Sequence, residues 1–435
     1  MRRVIQRSAL AVALVLGWGA CHPAVRGAPA SKDKGAPRSS PSAAGSAPPR
    51  RSPLTQAELP TTDGTLAISN LDSEIAGLER ALAKKSDLDR MSVLAEDLEA
   101  RGQFLGKLAD YERSAALADA AVASAPKDAR AYGMRAKARA VYHRFTEAAR
   151  DLDQAEALGL PKKKLLGQRA AILQAQGKYD EALAIRHELS REKGDLSTLG
   201  SEASLVAEMG ETERAEQLFL EAEAHYRDVS PFPLAWLWFQ EGTMWERLGK
   251  PTRARALFAA ACARVPGYAH AASHLASLEP SERALELLRP LAREADDPEY
   301  EAALAVLLRE RGQRADADAL VLDARQKYEQ LTTSHPEAFA DHAARFWLGA
   351  GADNAKALIW ARRNADVRAT EPALTLLVDA AVANDDRGSA CAAAERIQSL
   401  ARPSSTLHLL AARAFDACGR DEQANRERQL ASAAR

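Results

Sequence analysis

Three aromatic residues, Tyr111, Phe145 and Tyr179, stand at equal intervals along the chain. Two of them lead the same short phrase, Phe145-Thr146-Glu147-Ala148 and Tyr179-Asp180-Glu181-Ala182. A further unit keeps almost the same step, with Gly210 and Ala215 following Gly177 and Ala182, and Phe219 and Ala222 completing it. Such a chain is an array, because each unit is one supersecondary element whose apolar face only a neighbouring unit can bury. Ala, Leu, Glu and Arg dominate, aromatics are 5%, and no run of alternating β-branched residues is present, so the units are helical. Pro126 and Pro161 fall near unit boundaries, where a helix has to stop.

The stretch from Trp236 to Pro266 is the fullest unit. It places Trp238, Gly242, Trp245, Gly249, Ala254, Phe258, Ala261 and Pro266 in order. That spacing resembles the tetratricopeptide pattern, with Glu241 where a leucine is usual. The resemblance is firm over residues 100–270 and looser over 271–435. It implies an all-α, right-handed solenoid of antiparallel helix hairpins over residues 66–435. Gly242 and Ala254 are small so that two helices approach closely, and Trp238, Trp245 and Phe258 fill the space beside them. Leu71, Ile75, Leu78 and Leu82, then Met91, Leu94 and Leu98, are read as a divergent pair capping the array. Ten or eleven hairpins account for the whole. Between Tyr226 and Leu234 the segment RDVSPFP lengthens the step from Gly210 to Gly249 beyond that of the preceding units, which is expected to perturb the superhelix. One longer helix is expected through Leu322 and Tyr328 to Leu331.

The first twenty residues are an export signal: Arg2, Arg3 and Arg7 precede an apolar run from Ala9 to Leu16, far short of the roughly 20 residues that span a bilayer. Gly19-Ala20-Cys21 resembles a bacterial lipobox, which makes Cys21 the lipidated first residue of the mature chain, although Trp18 stands where an aliphatic residue is usual. An ordinary cut after Ala20 or Ala30, giving a secreted protein, is the alternative. Residues 21–65 are a disordered tether rich in Pro, Ala, Ser and Arg, with six basic and two acidic residues between His22 and Pro60. His22 after the cysteine points to the outer membrane, facing the periplasm.

Net charge is −1, with 59 Lys+Arg against 60 Asp+Glu interleaved along the helices, so nucleic acid is not an expected partner. No phosphate loop, dinucleotide fingerprint, nucleophile elbow or zinc-protease helix is present, so neither an enzyme, a cofactor nor a small-molecule substrate is expected. His270 and His274, four apart on one helix face, with Cys262 eight residues earlier, are the one metal-like spacing, and surface or packing roles explain them better. His335 and His342 are read as loop and helix-surface residues. Cys391 and Cys418 lie close enough in the array for a bridge, but packing as small residues is the expectation.

The tetratricopeptide resemblance also implies where partners sit: the first helix of each hairpin lines a concave groove. Carried onto this chain, Gly133, Gly167 and Gly200 occupy one row and Phe239 continues it. Glycine inside a helix costs about 0.5–1 kcal/mol relative to alanine, so a row of three needs a reason, either a partner's backbone or close helix packing. Arg130, Lys137, Lys164 and Gln168 give the strip a basic edge, and Trp236 and Phe239 are candidate anchors for a peptide or helix. The Lys/Asn/Arg clamp for a terminal carboxylate is not visible. The whole resembles the tetratricopeptide lipoproteins of bacterial envelopes. It implies a non-catalytic adaptor for protein or peptide partners, joined to a membrane through Cys21. A hydrolytic or metal-dependent enzyme around His270, His274 and Cys262, and a purely structural spacer, are the alternatives.

Overall fold

The computed structural model describes residues 53, 55, 57–400 and 403–433; the signal, Cys21 and most of the tether lie outside them. Among the described residues there are twenty-one α-helices and no strand. Helix α1 (Gly64–Lys84) stands before the first hairpin, which is α2 (Leu88–Leu105) with α3 (Leu108–Ser124). The next hairpins are α4 (Ala129–Val141) with α5 (Phe145–Ala157), α6 (Lys162–Ala175) with α7 (Tyr179–Lys193), and α8 (Leu196–Glu208) with α9 (Thr212–Ala224). After the insertion come α10 (Phe232–Arg247) with α11 (Pro251–Arg264), and α12 (Ala269–Ser277) with α13 (Ser281–Glu294). The C-terminal hairpins are α14 (Pro298–Glu310) with α15 (Arg314–Ser334), and α16 (Ala340–Leu348) with α17 (Asn354–Val367). The last two are α18 (Glu371–Ala383) with α19 (Arg387–Gln398), and α20 (Ser405–Ala417) with α21 (Asp421–Ala433). The long helix expected through Tyr328 is α15.

Local signals place these elements. Aspartates 87, 128, 195, 353 and 386 each accept a backbone N–H at the start of the following helix, satisfying donors that a helix leaves unpaired. Within the hairpins the chain turns through left-handed glycines, Gly177, Gly210, Gly249, Gly312 and Gly419. In the fullest unit, a Cβ at Gly242 would stand 2.6 Å from the Phe258 ring, so only glycine admits that contact. Glu241, the departure from leucine, is buried and accepts the indole N–H of Trp245 at 3.0 Å; Trp238 donates likewise to Glu223 at 3.0 Å. A carboxylate there serves the neighbouring indole where leucine would fill space.

The array then closes on itself in two ways. Ile75 of α1 and Leu98 and Phe104 of α2 share one apolar core with α8, α10 and α12. Phe104 sits 4.9 Å from Phe232 and 4.7 Å from Tyr268, ring centre to centre. The RDVSPFP insertion takes part: Val229 accepts the Thr62 N–H at 2.7 Å, while Arg264 donates to the Leu59 carbonyl at 2.9 Å. The expected insertion is therefore the receiving surface for the chain that leads into α1.

The second closure is a seam between early hairpin turns and late connecting loops. The Asp296 N–H donates to the Gly106 carbonyl at 3.1 Å. Helix α3 has no capping side chain of its own; the Asp296 carboxylate, 188 residues further on, accepts from Leu108 and, at 3.0 Å, from Ala109. His143 Nδ1 meets the Glu337 carbonyl at 3.1 Å across 194 residues, and the Tyr142 and His335 rings stack at 4.0 Å. A similar offset carries Gly177 to Ala369, whose carbonyl oxygen would lie 2.7 Å from a Cβ. A near-constant offset across three successive units shows one turn of the superhelix resting edge-on upon the next.

Candidate functional site

The first helices of the middle repeats have no open face. Residues 199–206 in α8, 234–239 and 241–245 in α10, and 271–276 in α12 are buried without interruption. A run longer than 3.6 residues covers every side of a helix. Trp236 is 1% and Phe239 5% exposed, so neither stands as an anchor in a groove; both are core. Phe239 packs at 5.4 Å from the Tyr268 ring. A Cβ at Gly200 would fall 2.7 Å from Leu237 Cδ1 and 2.9 Å from the Trp236 ring, so this glycine serves close helix packing.

The α4–α6 end of the strip is different. Gly133 is buried in ordinary contact with Leu160, and Lys137 is largely covered and paired with Glu99 at 2.7 Å. Arg130 is exposed and paired with Asp128 at 2.7 Å and with Asp89. On α6, Lys164 is exposed, a Cβ at Gly167 would meet nothing within 4 Å, and the buried Oε1 of Gln168 has no hydrogen-bond partner among the described residues. The structure thus keeps Lys164, Gly167 and Gln168 together on an accessible helix, with Arg130 on α4, and separates them from Gly200, Trp236 and Phe239.

The metal-like spacing does not assemble. His274 Nδ1 pairs with Glu246 at 2.6 Å, His270 Nδ1 meets the Tyr300 hydroxyl at 3.3 Å, and burial pushes the Cys262 thiol up to about 12. Among the described residues the group that gathers within 4.8 Å is Asp297, Glu299 and His342. His342 is 4% exposed, which overturns its reading as a helix-surface residue. Its Nδ1 lies 3.2 Å from Glu299 and its Nε2 3.8 Å from Asp341. Asp341 in turn stands 3.9 Å from Arg345 and 3.8 Å from Arg368.

This cluster has opposing electrostatic demands. Burial disfavours the imidazolium of His342, but Asp341 and Glu299 more than reverse that and lift it to about 9. Burial raises the carboxyl of Asp297 to about 7, and the His342 charge only partly opposes it. Glu299 and Asp341 are held low despite burial, the first chiefly by His342 and the second by His342, Arg345 and Arg368. His143, at the seam, is pulled down to about 3 by burial and then by Arg368. Its backbone is left-handed, φ 55°, a conformation uncommon outside glycine, at the position where Gly177 turns the next hairpin.

Beside the seam lies a cavity of about 340 Å³ between α3, the end of α4 and α15, lined by Leu108, Tyr111, Tyr142, Lys327, Leu331 and Phe339 among others. Further along the array, Cys391 and Cys418 are joined in a disulfide with a Cα separation of 5.7 Å, in place of the packing role expected for them. No helix among the described residues is long and apolar enough to cross a membrane.

No protein-family model and no curated relative matches the chain. Among solved structures it is similar to the APC/C hetero-tetramer Cut9–Hcn1, at 12% identity over 84% of this chain and 94% of that one, with a TM-score of 0.40. Yeast Tom70 is 13% identical over 86% and 90%, TM-score 0.38; a tetratricopeptide repeat protein from Parabacteroides merdae is 16% identical over 70% and 93%, TM-score 0.25. Likenesses this low leave the argument to the chain's own units, in which Phe145 and Tyr179 open the second helices of successive hairpins in one register. The chain is a tetratricopeptide-type solenoid. What sequence reasoning missed in it is the seam and the buried cluster. One signal was available: His143 in place of a turn glycine.

Proposed function

We propose that this solenoid is a non-catalytic protein-interaction scaffold of a bacterial envelope, tethered through a lipid on Cys21. It takes an extended segment of a partner protein along the open strip of α4 and α6. The observation that carries the reading is Gly167: it faces open space, beside an exposed Lys164. A partner backbone laid over Gly167 approaches the helix closely, because no side chain stands in its way, and an acidic side chain on it pairs with Lys164. Residues 1–21 supply the address.

The test is affinity recovery from crosslinked cells, comparing the native chain with Gly167→Phe/Lys164→Glu and with Cys21→Ser. Loss of specific partners from the first variant, with helicity unchanged, supports the strip; full recovery overturns it. An acylated N-terminal peptide in the native chain, absent from Cys21→Ser, supports the anchor. A structural spacer is the second reading, favoured by the self-filled middle repeats. It predicts that no partner depends on α6 at all.

A further inference from the structure

We propose that Asp297, Glu299 and His342 bind a divalent transition cation, Zn²⁺ before others, that staples α14 to α16 beside the seam. Asp297 caps α14, its carboxylate accepting the Glu299 N–H at 2.9 Å, and Glu299 follows in the first turn. His342 lies in the first turn of α16, and the three donor atoms fall within 4.8 Å of one another. Two ligands each about 2.0 Å from a tetrahedral ion stand about 3.3 Å apart. The 3.2 Å between His342 Nδ1 and Glu299 Oε2 matches that edge.

A second observation concerns the other side of the ring. Asp341 is 1% exposed, neither of its carboxylate oxygens has a hydrogen-bond partner among the described residues, and Oδ1 is 3.8 Å from His342 Nε2. A carboxylate behind a ligating imidazole takes the remote N–H and fixes the ring with its other nitrogen toward the metal. One imidazole with two carboxylates suits Zn²⁺ or Mn²⁺; Ca²⁺, which takes six to eight oxygens, has too few here. Glu299, its side chain 16% exposed, is the ligand nearest solvent. The ligands adjoin the seam on both sides: Asp296, beside Asp297, caps α3, and Glu337, shortly before His342, accepts from His143. An ion here therefore holds two loops on which the second superhelical turn rests. The competing account is an imidazolium between Glu299 and Asp341 that needs no ion.

The full chain, stripped with chelator and titrated with Zn²⁺ against a chromogenic competitor, distinguishes the two. The proposal expects one ion per chain, a higher Tm with the ion bound, and at least about a tenfold weaker affinity in His342→Gln and in Glu299→Gln. Asp341→Asn should lose about tenfold, the usual cost of losing a partner behind a ligand. Cys262→Ser should leave affinity unchanged, and Mn²⁺ should bind more weakly than Zn²⁺. Should His342→Gln lose helicity without metal, Glu299→Gln, nearly isosteric, decides. No stoichiometric binding, binding indifferent to both ligand variants, or a preference for Ca²⁺ overturns the proposal.

Discussion

Helices α6 and α10 are both first helices of tetratricopeptide-type hairpins, yet they live in opposite surroundings. In α6, intermediate exposure runs through residues 166–169 and Gly167 faces space; in α10, residues 234–239 are all buried. Part of the difference is local, since α6 opens on Lys162, Lys163 and Lys164 where α10 carries Trp236, Trp238 and Phe239. The rest is tertiary: α10 shares one core with α1, α2, α8 and α12, with Gly200 of α8 against Trp236 and Tyr268 against Phe239. A concave face in such an array is a site only where the chain has not already occupied it.

The sharpest test of that contrast is Trp236→Ala. Emptying a fully enclosed aromatic site in α10 should cost about 3–5 kcal/mol, read as a lower urea midpoint with an unchanged slope. A surface anchor would lose far less, so a small effect breaks the comparison. Gly200→Ala should destabilise by about 1–3 kcal/mol, because the new methyl meets Leu237 and Trp236 below 3.0 Å. Third is the seam. His143 is neutral when folded, its pKa lowered from 6.5 to about 3, so below about pH 6.5 the unfolded chain gains a proton that the folded one refuses. That part of the stability is present at pH 7 and falls away as pH drops toward 3. His143→Asn, which tolerates the left-handed turn, should make the loss between pH 7 and pH 5 shallower by about 1–2 kcal/mol, measured by urea midpoints at both values. The smallest expected effect has the opposite sign to Gly200→Ala: Gly167→Ala should stabilise the isolated chain by about 0.5–1 kcal/mol, since the methyl enters open space on a helix. If both alanines act in the same direction, the two ends of the strip are not different after all.

Much of the architecture was legible because its causes are local. Gly242 with Phe258, the glycine turns at Gly177, Gly210 and Gly249, and the long α15 all follow from spacings within a single unit. The groove was only half legible: repeat register correctly puts Gly133, Gly167 and Gly200 on first helices, but register says nothing about what lies over them. Trp236 and Phe239 read as spare aromatics because the hairpin core already had Trp238 and Trp245. Their true neighbours arrive from elsewhere, Gly200 of α8 beside Trp236 and Tyr268 beside Phe239. The disulfide was an open alternative, since two cysteines 27 residues apart in a solenoid meet only if their helices are rotated toward each other.

By itself the sequence determined the repeating hairpin and its helical character, since propensity, turn chemistry and small-residue contacts all act within a single unit. Only the tertiary structure decided how tightly the array winds, and with it the filled middle groove, the seam from Asp296 to α3, and the meeting of Asp297, Glu299 and His342. Superhelical pitch is the sum of small rotations between successive units, and such a sum leaves no periodic mark in the chain that carries it.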